Sequence, residues 1–122
     1  MKILVIEDEK QIRDMVALAL ERDGFEVTTA ETMDEAAKSI RYNQWDLVIS
    51  DVMLPYKGGF ELVDDIKSTS PATPVILITG MSRDVLEATV TKADLVIHKP
   101  FSGKEIATQV KKLLKSKGEP AH

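Results

Sequence analysis

A chain of 122 residues, 43% hydrophobic and 30% charged, is sized for one domain with one core. Twenty acidic against sixteen basic residues give a net charge of -4, which argues against direct nucleic-acid contact because a phosphate backbone is met by a basic face. Cysteine is absent, which excludes disulfides, thiolate metal sites and cysteine nucleophiles, and no apolar run nears the roughly 20 residues of a membrane span.

The N-terminus turns acidic at Glu7, too early for a signal peptide, so a cytoplasmic protein is expected. Ile3-Leu4-Val5-Ile6 is an unbroken apolar block, too short for a helix, and predicts a strand covered on both faces. Ile12, Met15, Val16, Ala19 and Leu20 then recur with helical period, and Gly24 is placed to end that helix. Glu26-Val27-Thr28-Thr29 is more polar and predicts an edge strand. Thr32 and Glu35 have capping-box spacing ahead of Ala36, Ala37 and Ile40, which predicts a second helix. Leu47-Val48-Ile49 is the third strand, Leu62, Val63 and Ile66 mark a third helix beginning near Gly59, and Val75-Ile76-Leu77-Ile78 is the fourth strand.

Over residues 82–92, Val85, Leu86, Thr89 and Val90 line one face of a fourth helix, but threonine and valine lower helix propensity. That helix is expected to be mobile or irregular. Leu95-Val96-Ile97 is the fifth strand, and Ser102 with Glu105 repeats the capping-box pattern before Ile106, Val110, Leu113 and Leu114. The polar stretch Lys115 to His122, with Gly118 and Pro120, is expected to fray or to open a linker. The domain is therefore placed at residues 1–117 and a tail at 118–122. Strand and helix alternate throughout, which calls for right-handed crossovers and a parallel sheet between helices. The predicted fold is α/β: a doubly wound, flavodoxin-like sheet of five parallel strands in order 2-1-3-4-5, flanked by five helices.

In such a sheet, ligands gather beyond the carboxyl ends of the strands, near the point where strand order reverses. Strand 1 runs into Glu7-Asp8, strand 3 into Asp51, strand 4 into Thr79 and strand 5 into Lys99-Pro100. Singly, each has a bland explanation: turn-forming acids, a threonine bonded to backbone, a solvated lysine, a proline that starts a loop. Jointly they collect carboxylates, a hydroxyl and an ammonium on one edge. Crowded carboxylates repel and resist full ionisation. A hard divalent cation resolves this, and Mg²⁺ favours one or two carboxylates, waters and a phosphate oxygen. A carboxylate can also serve as nucleophile in phosphoryl transfer, giving an aspartyl phosphate. Metal and ammonium would then stabilise the equatorial oxygens, with the Thr79 hydroxyl as a further donor.

Glu7-Asp8, Asp51-Val52-Met53-Leu54-Pro55 followed by Gly59, Ile78-Thr79-Gly80 and Lys99-Pro100-Phe101 together resemble the CheY-like receiver domain of two-component response regulators. The resemblance covers Met1 to about Lys115 in the family's order and spacing. It implies that Asp51 is the phosphoacceptor, that Asp8 and Asp51 bind Mg²⁺ with Glu7 acting largely through water, and that the Met53 backbone carbonyl completes the ligand set. It further implies that Lys99 pairs with the phosphoryl group, that Lys99-Pro100 is cis, and that Thr79 is the switch hydroxyl. The implied donor is a sensor histidine kinase or phosphotransfer protein, and the implied output face joins the fourth helix, the fifth strand and the fifth helix. Transfer and slow dephosphorylation are self-catalysed in the family, so a signalling domain rather than an enzyme is expected, as a monomer or a phosphorylation-linked homodimer.

Departures from the family pattern carry their own expectations. Val96 stands three residues before Lys99, where the family often has an aromatic ring that follows the switch hydroxyl. Gly58-Gly59 replaces a frequent acidic residue and adds backbone freedom. Met53 and Met81, two residues beyond Asp51 and Thr79, would slow hydrolysis by excluding water. His98 adjoins Lys99 but is read as an exposed strand-end histidine rather than a relay residue. The alternatives are a degenerate receiver that binds partners without phosphorylation, and a Mg²⁺-dependent phosphatase with an aspartate nucleophile. The latter family needs a second aspartate where this chain has Met53. Lys104, Lys111, Lys112, Lys115 and Lys117 make the last helix basic, which suits an acidic partner or simply a solvated helix end.

Overall fold

A computed structural model describes residues 1–52, 59–80 and 92–118. In chain order the elements are β1 (Lys2–Ile6), α1 (Lys10–Arg22), β2 (Glu26–Ala30), α2 (Met33–Tyr42), β3 (Leu47–Asp51), α3 (Gly59–Thr69), β4 (Val75–Thr79), β5 (Leu95–His98) and α4 (Gly103–Gly118). Four helices lie among the described residues. Residues 82–91 of the one expected over 82–92 fall outside them, as do Met53, Gly58 and Met81. The sheet is parallel throughout and its order is β2-β1-β3-β4-β5.

The unbroken apolar strands follow from the two-residue period of a pleat. Ile3 and Val5 of β1 face one side, where Ile49, Ile76, Ile78 and the apolar stripes of α1 and α4 meet them. Leu4 and Ile6 face the other, against Val48, Leu77 and the inner residues of α2 and α3. The polar strand β2 takes the edge, as predicted, with Glu26, Thr28 and Thr29 exposed.

Local chemistry sets the helix ends. Gly24 adopts φ 89° after α1, and Phe25 N–H donates to Leu20 O (3.2 Å) while Gly24 N–H donates to Glu21 O (3.0 Å), a Schellman stop. Thr32 Oγ1 accepts from Glu35 N–H at 3.2 Å to open α2, and the Glu35 carboxylate reaches back to Glu31 N–H at 3.1 Å. Ser102 Oγ accepts from Glu105 N–H at 3.0 Å ahead of α4. That helix continues past Lys115 through Gly118. Among the described residues no helix is long and apolar enough to cross a membrane.

Candidate functional site

Strand order reverses between β1 and β3, and the carboxyl ends of these strands carry the acids. Glu7 extends the β1–β2 ladder by one bond, its N–H donating to Ala30 O at 3.0 Å, so its side chain leaves the chain inside the fold, with no exposed surface at all. Asp8, one residue on, is exposed. Asp51 closes β3 and is only 4% exposed, in register with Ile78 of β4. Carboxylate oxygens of Glu7, Asp8 and Asp51 all lie within 4.8 Å of one another.

Lys99 follows β5 directly. Its N–H donates to Thr79 O at 2.7 Å, which extends the β4–β5 pairing past the strand end, and the Lys99–Pro100 peptide is cis as the resemblance implied. The ammonium donates to Asp51 Oδ2 at 2.5 Å and stands 3.5 Å from Glu7 Oε2 and 3.8 Å from Glu9 Oε1. Thr79, at the end of β4, is fully buried beside this group. The tertiary structure thus brings together Glu7, Asp8, Asp51, Thr79 and Lys99.

The electrostatics follow from burial. Loss of solvent, followed by the hydrogen bond and charge of neighbouring Asp51, pushes the Glu7 carboxyl up to about 8, against smaller opposing effects of the Glu9 amide and Lys99. The Glu7–Asp51 contact is attractive only while one of the two carboxyls carries a proton. Burial by itself would lower the Lys99 pKa, but the hydrogen bond to Asp51 and the charges of Asp51, Glu7 and Glu9 outweigh it, and the net shift is upward. Among the described residues Glu7 Oε2 is buried without a hydrogen-bond partner, the Lys99 ammonium standing 3.5 Å off, a costly state for a carboxylate oxygen. An orphaned oxygen facing two further carboxylates is the donor set of a hard divalent cation. The residues therefore fit Mg²⁺, which Glu7, Asp8 and Asp51 would hold.

Two neighbours carried no signal in the sequence reading. Glu9 contributes a third carboxylate to Lys99, although it directly follows the acidic pair. Arg13 Nη1 donates to the Glu7 backbone carbonyl at 3.0 Å; its position one turn into a helix gave no hint of that contact. His98, expected to be exposed, is half-buried beside a cavity of about 460 Å³ between β5 and α4. Val96 packs against the face of the sheet that holds Leu4 and Ile6. A larger concavity of about 590 Å³ lies between α1 and α4, and Glu7, Asp8 and Asp51 do not line it. Charge, rather than enclosure, marks the site.

The sequence profile described as the response regulator receiver domain matches residues 3–111. The chain is 36% identical over 118 residues to the phosphate regulon transcriptional regulatory protein PhoB of Escherichia coli (strain K12), covering 93% of this chain and 52% of that protein. It is 35% identical over 124 residues to the transcriptional regulatory protein ResD of Bacillus subtilis (strain 168), covering 99% and 51%. The chain thus spans about half the length of these curated relatives. A CheY-like response regulator receiver domain protein of Methanospirillum hungatei JF-1 superposes with a TM-score of 0.85 at 29% identity, covering 96% of this chain and 95% of that one. Similarity to receivers runs from the first strand into the last helix, through every strand end that carries an acid or the lysine, and the chain belongs to the response regulator receiver domain family.

Proposed function

We propose that this chain is a phosphoryl-accepting switch in which Asp51 is the acceptor. The observation that carries the proposal is the setting of Asp51: a carboxylate 4% exposed, held at 2.5 Å by an ammonium, with two further carboxylates gathered beside it. An Asp51 Oδ attacks phosphorus of a phosphohistidine on a sensor kinase or phosphotransfer protein. A P–O bond forms, the P–N bond breaks, and the departing imidazole keeps the bonding electron pair and takes up a proton. Lys99 leaves its contact with the Asp51 oxygen to pair with an oxygen of the arriving group, and the Thr79 hydroxyl donates to another. Mg²⁺, held by Glu7, Asp8, Asp51 and the Met53 carbonyl, would supply charge neutralisation for those oxygens. The same edge would let water return Asp51 to its free form slowly, so the chain is a signalling domain rather than an enzyme.

The output surface of this proposal is the face of β5 and α4, together with residues 82–92. The cavity there, with Leu95, Val96 and Ile97 on one wall and Lys104 and Thr108 on the other, supports a partner-binding role. The functional unit is placed at residues 1–117 with 118–122 as tail or linker, in the cytoplasm, as a monomer or phosphorylation-linked homodimer. PhoB and ResD are transcriptional regulatory proteins about twice as long. We assign no direct nucleic-acid contact to residues 1–117, whose strand ends gather acids at the site.

The test is a titration with Mg²⁺ and beryllofluoride, a phosphoryl mimic, followed by amide NMR. Shifts centred on Asp51 and Thr79 that vanish in Asp51→Asn are expected. A spectrum unmoved in the wild type, with no mass gain of one phosphoryl group on incubation with phosphoramidate, rejects the proposal. Turnover of small phosphoesters would favour a phosphatase instead.

A further inference from the structure

We propose that Arg13 is a positioning residue for the acidic pair: its guanidinium, bonded to the Glu7 backbone carbonyl, sets the directions in which the Glu7 and Asp8 carboxylates leave the chain. The inference rests on the Mg²⁺ site proposed above. Arg13 lies in the first turns of α1, and its side chain is only 11% exposed. Lys10 and Asp14 on the same helix form an exposed pair of the usual surface kind, at 77% and 57% exposure. A desolvated guanidinium needs a specific counterpart, and two are present. Nη1 donates to Glu7 O at 3.0 Å and stands 3.8 Å from Glu31 Oε2, in the loop between β2 and α2.

The bonded carbonyl belongs to the peptide that joins Glu7 to Asp8. Holding that peptide plane restricts ψ of Glu7 and φ of Asp8 together, and so the exit vectors of both side chains. The Glu9 amide, 3.2 Å from Glu7 Oε1, then holds the Glu7 carboxylate itself. The helix contributes too, because Arg13 N–H donates to Glu9 O at 2.9 Å and makes the guanidinium and the acidic turn parts of one rigid unit. Glu31, whose own N–H is held by Glu35, links this unit to the start of α2. Arginine suits the task because it stays charged and is less strongly hydrated than an ammonium. Partners that orient metal ligands from behind typically change affinity by about 10–100-fold when removed.

The experiment compares wild type, Arg13→Met, Arg13→Gln and Lys10→Met by amide NMR, first free of metal and then through a Mg²⁺ titration. The Asp8 amide, which shares the Glu7 peptide group, is expected to shift in the metal-free Arg13 variants. Their Mg²⁺ dissociation constants are expected to rise about tenfold or more, while Lys10→Met, which removes a cation from the same helix, leaves the constant unchanged. Either Arg13 variant that folds and binds Mg²⁺ as the wild type does overturns the inference, even with a lowered melting temperature, since the residue would then be structural only. Equal weakening in Lys10→Met also overturns it, because net charge rather than position would be responsible. A wild type whose Glu7, Asp8 and Asp51 amides ignore Mg²⁺ removes the metal site itself and the inference with it, and so differs from failure of the inference alone.

Discussion

Glu7 has no exposed surface, yet its Oε2 finds no hydrogen bond among the described residues. The fold tolerates it by raising its pKa from 4.5 to about 8, burial acting first and Asp51 second. The stabilising state of the metal-free protein is therefore the protonated one. Its contribution is complete below the unfolded value near 4.5 and is lost as pH rises through about 8, because over that window the folded chain binds more protons than the unfolded one. Urea midpoints of wild type in chelator should thus fall between these limits, whereas Glu7→Gln, which cannot ionise, should show a flatter profile there. A wild-type midpoint that rises across the same window refutes this account. Lys99 stands closer to Asp51, at 2.5 Å, than to Glu7, at 3.5 Å.

Elements are held in place by contacts at their ends. Thr32 caps α2 through Glu35 N–H at 3.2 Å, and Thr32→Ala should cost about 1 kcal/mol in chemical denaturation. Lys67 at the end of α3 plays a larger part. Its ammonium donates to Thr73 O at 2.7 Å and to Asp94 Oδ2 at 2.8 Å, and Asp94 Oδ2 also accepts from Val75 N–H at 2.8 Å. One ion pair thus joins a helix end to the starts of β4 and β5, at the end of the sheet opposite the acids. Asp94 is 11% exposed at its side chain, so Lys67→Met takes an ammonium away from a largely desolvated carboxylate and should destabilise by about 3 kcal/mol, read from urea midpoints. A loss of less than about 1 kcal/mol would place this pair among ordinary surface contacts. Close approach does similar work elsewhere: a Cβ at Gly103 would stand 3.0 Å from the Ala19 Cβ, so glycine lets α4 begin against α1. Helix starts and stops were legible in advance because capping and Schellman chemistry act within a few residues. The Lys67 contact has no such local signal, since its partner lies 27 positions away.

At the scale of the whole molecule, the sheet brings the ends of β1, β3, β4 and the residue after β5 to one edge, and the carboxylates collected there are the group that would hold the proposed Mg²⁺. Mg²⁺ at a hundredfold its dissociation constant should raise stability by about 3 kcal/mol through binding to the folded state alone. Calorimetry in Mg²⁺ against chelator checks this, and Asp8→Asn should shrink the gain; equal melting temperatures in the two buffers would contradict the metal assignment. The amino-acid sequence by itself determined the alternation of strands and helices, the edge position of β2 and the identity of the acids, threonine and lysine at the strand ends. These follow from apolar periodicity and from rules about where ligands sit in doubly wound sheets, both legible without coordinates. Only the tertiary structure decided that Glu7 is wholly buried while Asp8 is exposed, that Arg13 grips the Glu7 carbonyl, and that His98 is half-buried. Burial and protonation depend on which distant segments pack over a residue, and local sequence does not encode that environment.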